Sequence, residues 1–124
     1  MKNETNQHHP KKLKGFHAHI YYDADSKVAA KALREEIGAR FDVELGRWHD
    51  KPIGPHPFSS YQVSFMPTLF GDIVPWLAFN RRNLVILVHP ETGDDLIDHS
   101  DYAMWLGDSA ILDLQRFRER ITKR

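Results

Sequence analysis

His17-Ala18-His19 sets two imidazoles two residues apart, which on a strand puts both on one face, about 6–7 Å from each other along the chain. Neutral imidazole is a preferred ligand for iron, zinc, copper and nickel, and two or three rings can hold such an ion with positions left open for substrate. The chain carries eight histidines in 124 residues. His8 and His9 fall in a polar leader and read as solvated, and His49 reads as loop decoration after Trp48. The remaining three stand at turns or element ends: His56 in a proline-rich loop, His89 closing the apolar run Leu84–Val88, and His99 next to Asp98. A carboxylate such as Asp98 can orient an imidazole or itself complete a two-histidine-one-carboxylate iron site. Asp98 or Ser100 is equally suited to cap the turn that follows. Tyr21 shares the face of His17 and His19 and could line a pocket for an aromatic substrate. Arg81, at a helix end where the helix dipole favours it, could instead clamp a substrate carboxylate.

These residues need elements to hold them. Residues 1–14 read as a flexible arm, and 15–124 as a single domain. Gly15–Tyr22 alternates, with Phe16, Ala18, Ile20 and Tyr22 opposite the histidine face, and reads as a strand. Residues 26–40 repeat apolar positions at helical spacing. Residues 41–48 alternate again, and 49–59 hold three prolines and a glycine, a rigid loop. A third strand is expected over 61–66 and a second helix from Pro67 to about Phe79, kinked or restarted at Pro75. Residues 84–89 make a fourth strand, 90–100 a turn-rich loop, 101–106 a helical turn and 109–122 a last helix.

The order β-α-β-β-α-β plus a C-terminal helix is that of an α+β, ferredoxin-like sandwich, whose strands lie in the order 4-1-3-2 with helices on one face. With strand 4 antiparallel to strand 1 and strand 3 parallel to it, His17 and His89 meet at one sheet edge, and the loop carrying His56 ends near the same place. Four imidazoles distant in sequence thereby converge.

Composition narrows the function classes. Seventeen Lys+Arg balance seventeen Asp+Glu, so nothing draws the chain electrostatically to nucleic acid or to an anionic membrane. Cysteine is absent, which excludes disulfides, thiolate metal sites and a cysteine nucleophile. No apolar run is long enough to span a bilayer, and the polar N-terminus lacks a signal-peptide core, so a cytoplasmic location is expected. Phosphate-cradling glycine loops and a serine nucleophile elbow are also missing.

Phe16-His17-Ala18-His19-Ile20-Tyr21-Tyr22, Gly54-Pro55-His56-Pro57, Val88-His89-Pro90-Glu91-Thr92-Gly93-Asp94, Asp98-His99 and Trp105-Leu106-Gly107 together resemble the DOPA 4,5-dioxygenase family, in the order of that family's blocks. The resemblance runs from about Gly15 to Leu112. It implies a ferredoxin-like, often dimeric domain that uses Fe(II) and O₂ to cleave a catechol ring in extradiol fashion. All five of His17, His19, His56, His89 and His99 stand at the family's motif positions, more than one open iron site needs; of these, His17, His19 and His89 are the expected iron ligands. His56 is the expected acid/base, and His99 acts behind them, oriented by Asp98; Tyr21 and Arg81 are the substrate-pocket residues expected from their own placement. A homodimer is the expected assembly. Two other readings fit the same histidines: a zinc-dependent hydrolase or isomerase, and a non-catalytic dimeric module that binds a small aromatic ligand.

Overall fold

The computed structural model describes residues 12–122. The expected arm over 1–14 therefore lies mostly outside the described residues. Five strands form one sheet: β1 (Gly15–Tyr22), β2 (Glu44–Leu45), β3 (Ser59–Phe65), β4 (Ile86–Glu91) and β5 (Met104–Leu106). Four helices accompany them: α1 (Lys27–Arg40), α2 (Phe70–Asn80), α3 (Asp95–Asp98) and α4 (Gln115–Thr122). The sheet order is β2-β3-β1-β4-β5, which is the ferredoxin-like order 4-1-3-2 with one further strand added beside β4.

Strand β1 is central because both its neighbours complete it. It pairs antiparallel with β3 along its length and antiparallel with β4 from Gly15 to Ile20. The expectation that strand 3 runs parallel to strand 1 is corrected by this register. In a split β-α-β unit β1 and β2 share a direction and β3, reached by a simple reversal, lies between them in the opposite sense. Gly15 marks a close approach, since a Cβ there would stand 2.9 Å from the carbonyl oxygen of Phe65.

One sheet face carries the apolar alternation of the strands. Ala18, Ile20, Tyr22, Tyr61, Val63, Phe65, Ile86 and Val88 pack there with Ala30, Leu33 and Ile37 of α1 and Ile73 and Leu77 of α2. The buried Tyr61 hydroxyl donates to the Ala30 carbonyl at 2.8 Å, so the core holds its phenol with a partner. Helix α2 begins after a 3₁₀ turn at Pro67–Leu69 and runs through Pro75 without restarting.

Four local expectations change. The second strand, expected over 41–48, is confined to Glu44–Leu45. Residues 104–106 form strand β5, not a helical turn, because Trp105 and its neighbours find ladder partners in Ile86–Val88. Asp95–Asp98 forms a one-turn helix, capped by the Asp94 side chain accepting from the Ile97 amide. The last helix starts at Gln115, six residues later than expected.

Core packing predicts a contrast within α2. Leu77→Ala, at a fully buried position, should lower unfolding free energy by about 2–5 kcal/mol. Phe79→Ser, at a position 86% exposed, should change it by less than about 0.5 kcal/mol. Urea unfolding midpoints of the two variants check this, and equal losses would contradict the assigned core face.

Candidate metal centre

The second face of the sheet is given to histidines. Alternation along β1 puts His17, His19 and Tyr21 there, and β4 adds Leu87 and His89, with His17 directly opposite His89 in the ladder. The Nε2 atoms of His19 and His89 lie 3.0 Å apart. His17, His19 and His89 can each offer a nitrogen within 4.8 Å of the others. His19 and His89 are buried, and His17 is partly open.

Two further imidazoles close over this trio. His56 arrives from the proline-rich loop, which is pinned by the Asp113 amide donating to the Pro55 carbonyl at 2.9 Å. Its ring centre stands 4.1 Å from that of His19. The loop does not reach the start of β1, as a parallel β3 would require; β3 begins opposite Tyr22, and the loop folds back from there across His19. His99, at the C-terminal end of α3, places its ring 4.1 Å from His89 and rests on Phe117 of α4 at 4.9 Å.

Hydrogen bonds from outside the cluster orient these rings. His89 Nδ1 lies 2.8 Å from the Pro90 carbonyl and His99 Nδ1 2.7 Å from the Asp95 carbonyl. A carbonyl only accepts, so in each ring Nδ1 carries the proton and Nε2 keeps its lone pair. His17 Nδ1 faces the Glu91 carboxylate at 3.4 Å, an outer partner of the kind that metal-binding histidines use. Asp98 does not orient His99. Its buried carboxylate accepts from the amide and hydroxyl of Thr92, at 2.9 and 2.6 Å, and so fastens α3 to the end of β4. Arg81 is also not brought to the histidines: it donates to the Leu84 carbonyl ahead of β4 and covers Gly107, at the opposite end of that strand from His89.

Burial sets the charge state. It depresses His19 well below its ordinary value, with His56, His89, His17 and His99 adding repulsion. Burial, reinforced by His99, takes His89 down to about 3 and His56 down to about 4. His17 is lowered by burial as well, against the pull of Glu91. Near neutral pH these rings are uncharged, the form that binds metal. The His19–His89 pair has the spacing of two ligands of one ion: nitrogens each about 2.1 Å from an ion and about 90° apart stand about 3.0 Å from each other.

Next to the trio, Tyr21 contacts Phe58 at 6.0 Å and Trp105 at 6.2 Å between ring centres, an aromatic wall on the same face. A cleft of about 420 Å³ opens at the end of the sheet beside His17, Glu91 and Ser64. Sequence reasoning places Glu91 only among several carboxylates (with Asp94 and Asp98) that could join the coordination sphere, and Trp105 only in a family block and among the core aromatics; the role of either beside the histidines is not read from it. The period of two along β4 puts Glu91 on the face of His89 and could have revealed it, whereas Trp105 depends on a three-residue strand too short to show a period.

Neutral buried histidines make the metal-free protein acid-sensitive. Their folded-state values lie below the ordinary 6.5, so the unfolded chain binds more protons below that pH. Stability should be level above about pH 6.5 and fall steadily from there toward about pH 4. Urea midpoints of metal-free protein across pH 4–8 check this, and His89→Gln should flatten the slope. A profile flat between pH 7 and 5 would contradict burial of neutral rings.

The chain resembles known proteins over nearly all of the described fold. It is 37% identical over 111 residues to the DOPA 4,5-dioxygenase of Amanita muscaria, covering 82% of this chain and 49% of that protein. An uncharacterized 21.2 kDa protein of Botryotinia fuckeliana is 40% identical over 111 residues, covering 80% of this chain and 61% of that one. The chain thus spans about half to three-fifths of the length of these relatives. The crystal structure of a protein from Nostoc punctiforme, proposed to be a dioxygenase, superposes with a TM-score of 0.87 at 51% identity, covering 93% of this chain and 99% of that one. The Dopa 4,5-dioxygenase family model matches residues 16–116, which include all five clustered histidines. The chain belongs to the Dopa 4,5-dioxygenase family.

Proposed function

We propose that this domain is a non-haem Fe(II) dioxygenase that opens the ring of a catechol, L-DOPA or a related dihydroxyphenyl compound, in extradiol fashion. The observation that carries this reading is the trio of neutral imidazoles, with His19 and His89 nitrogens 3.0 Å apart, in a chain of this family. Three neutral nitrogens on one side of an ion leave positions for a bidentate catecholate and O₂, and they add no charge that would repel the anionic diolate. When bound, Fe(II) supplies a Lewis acid and an electron conduit between the two reactants.

The chain's own groups would do the rest. His17, His19 and His89 hold the ion, and Glu91 and the Pro90 carbonyl orient two of those rings. Phe58 and Trp105, packed on the buried ring of Tyr21, offer flat apolar surface against which an aromatic ring can lie. His56 and His99 stand close enough to the trio to move protons to and from the reacting oxygens. Both atoms of O₂ enter the ring-opened product, so no external reductant is consumed. A homodimer is the assembly we propose for it. Among the described residues no helix is long and apolar enough to cross a membrane.

Protein loaded anaerobically with Fe(II) should consume one O₂ per catechol on aeration and give a yellow ring-opened product. His89→Ala should lower that turnover by about a hundredfold or more, since losing even an outer hydrogen-bond partner of a metal ligand costs about 10–100-fold. Iron-loaded protein that turns over no member of a catechol panel would overturn the reading. Hydrolytic activity with zinc alone would point instead to the hydrolase alternative.

A further inference from the structure

The five clustered histidines do not have the same outer partners. His17, His89 and His99 direct Nδ1 at oxygens that can only accept, a carboxylate and two backbone carbonyls. His56 differs: its Nδ1 lies 2.6 Å from the hydroxyl of Tyr21, a group that can donate. That hydroxyl is buried, and its hydrogen-bond partner among the described residues is this nitrogen. Were Nδ1 the donor, the phenol proton would be left buried without an acceptor, which is unfavourable. The proton therefore runs from Tyr21 to Nδ1, and the ring proton of neutral His56 sits on Nε2.

We propose that Tyr21 is a positioning residue that holds His56 in the Nε2–H form, so that His56 offers the cluster a hydrogen-bond donor and not a metal-binding lone pair. Outer hydrogen bonds thereby sort chemically identical rings into two kinds. The carboxylate and the carbonyls leave the Nε2 lone pairs of His17, His89 and His99 available, whereas the phenol puts the proton of His56 on Nε2 and so withholds that nitrogen from ligation. Tyr21 reaches this position because it follows His17 and His19 at the strand period, and its ring is braced by Phe58 and Trp105. The tautomer assignment stands on the hydrogen bond alone. Its catalytic consequence, a donor held ready for the reacting oxygens, rests on the proposed dioxygenase function.

The test is ring-nitrogen NMR of ¹⁵N-histidine-labelled full chain, metal-free and loaded with diamagnetic Zn(II), with His56→Gln used to assign the His56 signals. Wild-type protein should show His56 with a protonated Nε2 and an unprotonated Nδ1. In Tyr21→Phe, which keeps the ring and removes the hydroxyl, His56 should lose that single form, while zinc per chain stays unchanged. With Fe(II) and a catechol, the same variant should lose about tenfold or more in kcat with KM within about twofold. A wild-type His56 protonated at Nδ1, or an unaltered Nε2–H form in Tyr21→Phe, would overturn the proposal. Once His56→Gln has assigned the signals, the wild-type spectrum decides the tautomer without Tyr21→Phe. It also does so whether or not a catechol is turned over, so failure of the tautomer assignment and failure of the dioxygenase reading are separately visible.

Discussion

Keeping several imidazoles buried side by side without charge is the constraint on which this structure depends. Each ring gives up hydration, and any proton added to one repels its neighbours. The fold meets this in two ways. A helix-backed sheet supplies a rigid platform on which β1 and β4 place His17, His19 and His89 at fixed register. Acceptors at the rim, Glu91 and the carbonyls of Pro90 and Asp95, then take the N–H of the outer rings and leave nitrogens free inside. With the proton of His89 on Nδ1, the 3.0 Å contact has neutral His19 donating its Nε2–H to the Nε2 of His89, and a bound cation would take the place of that proton.

The remaining segments serve the same end. The His56 loop, α3 and α4 lie where a two-layer ferredoxin-like domain has an open sheet face, and they close it over the histidines. Each is fastened at a distance from the cluster: Asp113 to Pro55, Asp98 to Thr92, and Arg120 to Asp95 at 2.7 Å. Such remote anchoring lets the cluster keep its inner atoms for chemistry, since the groups that hold the loops are different ones.

Much of this was legible in the sequence, and the limits have physical causes. The alternation of Gly15–Tyr22 sets the correct faces and the β-α-β-β-α-β order sets the strand neighbours, so the meeting of His17 with His89 follows from the sequence. The direction of strand 3 did not follow, and with it the path of the His56 loop was misplaced. Asp98 next to His99 suggested a pair, yet neighbouring residues at the end of a helical turn point apart, and each found a different partner. Arg81 looked free for a substrate because its actual acceptor, the Leu84 carbonyl, is a backbone group that no side-chain pattern reveals. Tyr21 was recognisable as a member of the histidine face, but its hydrogen bond to His56 joins residues 35 apart through a loop conformation that only the folded chain defines.

The most direct measurement is anomalous diffraction at the iron edge from crystals of the protein loaded anaerobically with Fe(II). One iron peak per chain, about 2.1 Å from Nε2 of both His19 and His89 and ligated by His17 on the same side, is the expected result. An iron peak elsewhere, or none in crystals of protein soaked with excess Fe(II), would contradict a metal centre built on these three histidines.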